Sequence, residues 1–109
     1  MISGIGVDIE EIKQFENKSE NFLNLIFTDK EIKYCKRKKE PYVSFAGKFC
    51  AKEAVIKALD KKISIKDIEV LNLKSGFPVI YVKGKKNNKI HCSISHSEKQ
   101  AIAFVIIIS

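Results

Sequence analysis

The sequence predicts an α+β domain: one strand, then a helical segment with one long central helix, then a run of antiparallel strands. Three observations carry this. The apolar period changes from helical to alternating after Leu59. A capping-box pattern at Thr28-Asp29-Lys30-Glu31 and a proline at position 41 mark helix starts in the first half. Turns containing glycine or proline separate short β-branched runs in the second half. No internal repeat, low-complexity tract or flexible linker interrupts the chain, so residues 1–109 read as a single domain.

Ile2 to Ile9 is β-branched and reads as a strand that ends near Asp8. Gly4 and Gly6 weaken it, and glycines inside a strand mark close approach by another backbone or a ligand. Glu10 to Phe15 reads as helical, and Glu20 to Phe27 as a second short helix. Thr28 can accept a backbone N–H while Glu31 reaches back, which starts a helix running to about Lys38. Pro41 ends that helix and permits a new one over Tyr42 to Leu59. Ile68 to Leu73 and Val79 to Val82 are strands joined by the turn Lys74-Ser75-Gly76-Phe77-Pro78. After a polar turn at Gly84 to Lys89, Ile90 to Ser95 alternates, with Ile90, Cys92 and Ile94 on one face and His91, Ser93 and Ser95 on the other. His96 to Gln100 turns the chain into a last strand, Ala101 to Ile108.

Composition narrows the function classes. The net charge of +7 favours anionic partners such as nucleic acid, phosphorylated metabolites or an acidic protein. No helix-turn-helix or stacking-aromatic pattern supports nucleic acid. Three cysteines, with no C-x-x-C pair, fit a reduced cytoplasmic compartment. No apolar run of membrane-spanning length occurs. A structural zinc site on His91, Cys92 and His96 fits no strong spacing pattern. A domain of 109 residues buries roughly two thirds of its unfolded surface, so oligomerisation would add stability.

The long helix contains one acidic residue among apolar ones. On a helical wheel centred on Glu53, Ala46, Phe49, Cys50 and Ile56 all fall within about 60°. A carboxylate there needs a partner. One reading is an i,i+4 pair with Lys57; the other is a carboxylate held for a metal ion or acid–base work. Asp8 has the same two-sided character, either an N-cap for a following helix or a second carboxylate converging on a magnesium ion. Lys48, Lys52 and Lys57 on the long helix, with His96 after a strand, supply basic groups for a phosphate site.

Three blocks resemble the holo-acyl-carrier-protein synthases, members of the 4'-phosphopantetheinyl transferase family. Gly4-Ile5-Gly6-Val7-Asp8-Ile9 with Glu11 and Ile12 is similar to the opening G-I-G-x-D-I-x-E-I. Phe45 to Leu59 resembles F-x-A-x-R-F-A-x-K-E-A-x-x-K-A. Ser93-Ile94-Ser95-His96-Ser97 resembles S-x-S-H-[ST]. The resemblance implies the 4'-phosphopantetheinyl transferase fold and a magnesium-dependent transfer of phosphopantetheine from coenzyme A to a serine of acyl carrier protein, in support of fatty acid biosynthesis. It implies magnesium on Asp8 and Glu53, with Lys57 joining them as a catalytic residue. Lys48, Phe49, Lys57, His96 and Ser97 are the implied coenzyme A contacts, and a homotrimer the implied assembly. Three departures stand out: Gln14 where the family carries Arg, Lys48 where it carries Arg, and the glycine-free stretch Leu59-Asp60-Lys61-Lys62-Ile63. A chain that binds coenzyme A without transferring the arm is the alternative these departures allow.

Overall fold

The computed structural model describes residues 1–109. In chain order the elements are β1 (Ile2–Glu11), α1 (Glu20–Ile26), α2 (Asp29–Lys36), α3 (Pro41–Leu59), β2 (Ile68–Asn72), β3 (Pro78–Val82), β4 (Lys85–Lys86), β5 (Ile90–His96) and β6 (Gln100–Ile108). Two antiparallel sheets form, ordered β1-β6-β5 and β2-β3-β4. The α+β reading holds. The first strand pairs along its whole length with the last.

That pairing moves one boundary. Sequence reasoning ends β1 near Asp8 and begins a helix at Glu10. The strand instead continues through Glu10, opposite Ala101, and Glu11, opposite Gln100, and Ile12 N donates to Lys99 O at 2.9 Å. Only a short 3₁₀ turn, Ile12–Phe15, follows. A partner almost 90 residues away decides the boundary, so local propensity could not show it. Asp8 therefore caps no helix. β4 is a further addition, a two-residue strand inside what reads as a polar turn.

Period-two alternation gives the β1-β6-β5 sheet two different faces. Gly4, Gly6, Asp8 and Glu10 point one way and Ile5, Val7 and Ile9 the other. α3 covers the first face. It fits because of the glycines: a Cβ on Gly4 would lie 2.2 Å from Ala58 O, and one on Gly6 would lie 2.0 Å from Ala54 O. The two contacts set the helix antiparallel to the strand, with Ala58 over Gly4 and Ala54 over Gly6.

α3 starts with Pro41 at its first position and ends at Asp60, whose φ of 51° is left-handed. Glycine adopts that conformation most easily, and aspartate is among the side chains that tolerate it. α3 is buried nearly all round, from Phe45 to Ala58. Only the strip through Phe49, Glu53, Ile56 and Lys57 is partly open. Glu53 therefore sits on the open strip, not at the centre of an apolar stripe as the wheel suggests. A helix apolar all round is packed all round, and a single-helix wheel cannot show which side stays open.

The capping box forms as expected, with Glu31 N and Thr28 Oγ1 at 3.4 Å and Thr28 N donating to Glu31 Oε1 at 2.9 Å. Glu31 does more than cap. It is fully buried, accepts from Val70 N at 2.7 Å and pairs with the equally buried Lys52 at 2.6 Å. Lys52 Nζ also donates to Ile26 O at 2.7 Å. One ion pair thus ties α1, α2, α3 and β2 together.

Gly6→Ala should cost about 3 kcal/mol or more, because the new methyl meets a helix carbonyl that cannot move alone. Urea unfolding of the variant measures it; a loss below 1 kcal/mol, on the order of a surface substitution, would show that α3 does not sit this close.

Candidate active site

The site forms where β1 passes beneath α3. Gly4 and Gly6 let the helix down onto the strand, and Asp8 is the next inward residue. Above it, Cys50, Glu53 and Lys57 are spaced i, i+3 and i+7, one strip of the helix. Asp8's side chain is 12% exposed and its Oδ2 is buried without a hydrogen-bond partner. Its Oδ1 takes only a long contact from Lys57 Nζ, 3.3 Å, while that ammonium donates to Val7 O at 2.9 Å. Lys57 thus reaches Asp8 and not Glu53, so the i,i+4 pair is not formed. Burial pushes the Glu53 carboxyl above its ordinary pKa, Asp8 pushes it further, and Lys57 opposes both. Glu10, on the same face of β1, is raised as well, by burial first and then by a side-chain contact with Asp8.

Carboxylates this close, one with a buried bare oxygen, are an arrangement that a hard cation satisfies. Magnesium uses one or two carboxylates and completes its shell with water and phosphate oxygens. Asp8 and Glu53 fit that donor set.

The other implied contacts lie elsewhere. Lys48 does not present its charge to a phosphate. It is 3% exposed, donates to Val70 O at 2.5 Å and to Asn72 Oδ1 at 2.6 Å, and lies 4.5 Å from the Tyr34 ring centroid. Burial lowers its pKa. Its ammonium is committed to β2. Lys52 is excluded from a phosphate site for the same reason, through Glu31. Neither partner could be foreseen, since both bonds cross between distant elements. Phe49 is half-buried on the open strip, its ring 5.3 Å from that of Phe15.

His96 ends β5, one residue further along the strand than its alternation suggests. Its Nδ1 lies 3.1 Å from Ser97 O, which leaves Nε2 free. Ser97 Oγ accepts from Lys99 N and Gln100 N at 3.3 and 3.2 Å, so its own proton remains available. Both residues line a cleft of about 630 Å³ with Lys13, Lys99, Glu11 and Tyr42. Asp8 and Glu53 do not line it. β6 separates β1 from β5, a spacing of roughly 10 Å. The His96-Ser97 turn and the Asp8-Glu53 pair thus lie at separate places on the chain. The zinc alternative fails on geometry: Cys92 is buried on the inner face while His91 is exposed on the outer one. All three cysteines are unpaired, buried and pushed up to about 12 by that burial.

An α+β domain with a carboxylate pair between β1 and α3, and polar donors on the β5–β6 turn, suits an enzyme that handles phosphate groups. The 4'-phosphopantetheinyl transferase superfamily matches residues 4–105, and the chain belongs to it. It is 46% identical over 113 residues to a holo-[acyl-carrier-protein] synthase of Thermodesulfovibrio yellowstonii, covering 98% of this chain and 99% of the relative. To the Clostridium tetani enzyme of that name it is 44% identical over 121 residues, covering 98% and 96%. The crystal structure of the Bacillus anthracis synthase in complex with CoA (3',5'-ADP) superposes with a TM-score of 0.84 at 36% identity, covering 98% and 96%. The Helicobacter pylori synthase in complex with coenzyme A gives 0.80 at 31%, covering 95% and 99%. The protein is a phosphopantetheinyl transferase. No helix is long and apolar enough to cross a membrane.

The raised Glu53 carboxyl predicts a stability effect. A carboxyl whose folded pKa exceeds its unfolded one destabilises the fold when ionised, and the cost disappears as pH falls below the unfolded value. Without divalent cations at neutral pH, Glu53→Gln should therefore melt above wild type, with the gap closing as pH falls into the ordinary carboxylate range. A variant melting lower than wild type would show the charge already compensated.

Proposed function

We propose that the protein transfers the 4'-phosphopantetheine group of coenzyme A to a serine of apo-acyl carrier protein in the cytoplasm, supporting fatty acid biosynthesis. Asp8 and Glu53 hold a magnesium ion for this reaction. The observation that carries the reading is the buried, unpartnered Asp8 Oδ2 beside the raised Glu53 carboxyl, in a chain of this family. The transferase unit spans residues 1–109.

A magnesium ion on the two carboxylates would place positive charge against the pyrophosphate and lower the energy of the negative charge that develops there. The chain's own groups do the rest. Lys57 is half-exposed and loosely held on Asp8, so its ammonium can move to a phosphate oxygen. His96 Nε2 and the Ser97 hydroxyl offer further contacts to phosphate. The carrier serine hydroxyl attacks the β-phosphorus, forming one O–P bond and releasing its proton to solvent. The bond from that phosphorus to the bridging oxygen breaks, and 3',5'-ADP leaves. Phosphoryl transfer rests on positioning and charge stabilisation, so no covalent enzyme intermediate is needed.

The separation of the two groups on one chain supports a homotrimer in which the His96-Ser97 turn of one subunit faces the Asp8-Glu53 pair of its neighbour. The outer sheet face supports it too. Ile5, Val7, Ile9, Ile102 and Phe104 are 62%, 48%, 54%, 40% and 45% exposed on adjacent strands, a contiguous apolar face of the kind that marks an interaction surface. For the acidic carrier protein, the exposed cations Lys33, Lys36, Arg37, Lys38 and Lys39 at the end of α2 offer a complementary surface. Lys36 is partly engaged by Glu20 and Lys38 lies over Tyr34, which leaves Lys33, Arg37 and Lys39 as the free charges.

Mass spectrometry of apo-acyl carrier protein incubated with coenzyme A, magnesium and this enzyme should show gain of the phosphopantetheine arm. Asp8→Ala or Glu53→Ala should slow that gain by at least about two orders of magnitude; unmodified carrier protein with the wild-type enzyme would refute the activity. Neutralising Lys33, Arg37 and Lys39 together should lower kcat/KM for the carrier about tenfold at low salt and flatten its salt dependence. An unchanged salt response would remove α2 from docking.

A further inference from the structure

We infer that Cys50 is a positioning residue for the carboxylate pair: its sulfur closes the inner side of Asp8 against water and hydrogen-bond donors, so that the buried carboxylate oxygen stays bare for a divalent cation. The inference rests on the cation reading of Asp8 and Glu53. It adds a residue that stands where the family pattern R-F-A-x-K-E carries alanine.

The packing of α3 on β1 places the thiol. Ala58 lies over Gly4 and Ala54 over Gly6. Four residues of helix advance about 6 Å and two residues of strand about 6.6 Å, so the next pair in this register is Cys50 over Asp8. Cys50 is fully buried, and its Sγ donates to Ala101 O at 3.3 Å. Ala101 lies on β6 two residues from Ala103, the partner of Asp8. The sulfur therefore fills the space between helix and sheet beside the Asp8 carboxylate. Glu53 stands on the partly open strip of α3.

A thiol suits this position because it packs like a small apolar group and is a weak donor. Its one proton goes to a backbone carbonyl, and Asp8 Oδ2 is left buried with no hydrogen bond. Burial first, and the Asp8 charge after it, keep the thiol protonated, so it acts as a neutral filler. A serine would bring a strong donor within reach of the bare oxygen, and a charge-assisted hydrogen bond would satisfy it. An alanine would free about the room of one water beside a carboxylate able to hold it. Either change gives Asp8 a partner before any cation arrives. The cation must then displace that partner, so its affinity falls.

The test is Mn²⁺ binding followed by electron paramagnetic resonance on wild type, Cys50→Ser, Cys50→Ala, Cys35→Ala and Asp8→Asn. Cys35 is equally buried but sits on α2, so Cys35→Ala makes a matched core cavity away from the carboxylates. Circular dichroism checks that each variant folds. The expected result is an Mn²⁺ Kd about tenfold weaker for Cys50→Ser and about threefold weaker for Cys50→Ala, with Cys35→Ala within about twofold of wild type. The Mg²⁺ concentration for half-maximal transfer should rise in parallel. Cys50→Ser binding Mn²⁺ as tightly as wild type, or more tightly, overturns the inference. Should Cys50→Ser not fold, an unchanged Kd in Cys50→Ala overturns it instead. Equal weakening in Cys35→Ala shows a general cavity effect, and the inference fails. If wild type binds no Mn²⁺, or Asp8→Asn binds it unchanged, the cation reading itself falls and the role of Cys50 with it.

Discussion

The missing side chains of Gly4 and Gly6 set the geometry of this site. Two carbonyls of α3 occupy the space where methyl groups would stand, so helix and strand approach more closely than any pair of L side chains allows. The next inward position, Asp8, inherits that separation. Its carboxylate is carried under the helix to face Glu53 and Lys57 on the strip above. With an alanine at either glycine the helix would lift, and the carboxylates would separate into ordinary solvated surface charges. The geometry of the candidate site is therefore a consequence of backbone packing.

Much of this was legible in the sequence, because the signals were local. Glycines in a strand announced the close approach. The Thr28–Glu31 spacing announced the cap, and the alternation of Ile90 to Ser95 announced which residues of β5 face inward. What stayed hidden depended on distant partners. β1 runs to Glu11 because β6 pairs with it to the end. Lys48 and Lys52 looked like free cations on a helix, yet Val70, Asn72 and Glu31 bury both. A wheel drawn on α3 put Glu53 at the centre of an apolar face because it could not see a helix enclosed on nearly every side. The position of Glu53 over Asp8 depends on the packing of α3 on β1 and not on the wheel.

The departures from the family pattern acquire physical meaning in this setting. Asp60 ends α3 in a left-handed conformation without glycine, so the following stretch can be short. Lys48 keeps a positive charge where arginine is usual, but a single ammonium saturated by Val70 O and Asn72 Oδ1 has no second edge to offer a ligand. Gln14 is neutral and spends its donor on Glu10. Each change alters the charge available to a bound anion, while the glycine contacts that build the carboxylate pair remain.

The electrostatics also show how the fold tolerates carboxylates it leaves uncompensated. Burial raises the pKa of Glu53 and Glu10, and Asp8 adds repulsion, so the carboxylates are destabilised by their own charge. Lys57 relieves little of this from 3.3 Å with its side chain half in water, where screening weakens the contact. The rest of the fold absorbs the cost through apolar packing around α3 and through the fully satisfied Glu31–Lys52 pair. These two ionic centres, on opposite sides of one helix, obey opposite rules. Glu31 has a donor for each oxygen, has no unmet demand and holds elements together. Asp8 keeps a buried oxygen bare. A bare buried oxygen costs free energy in every folded molecule, and a cation bound there as proposed would return it.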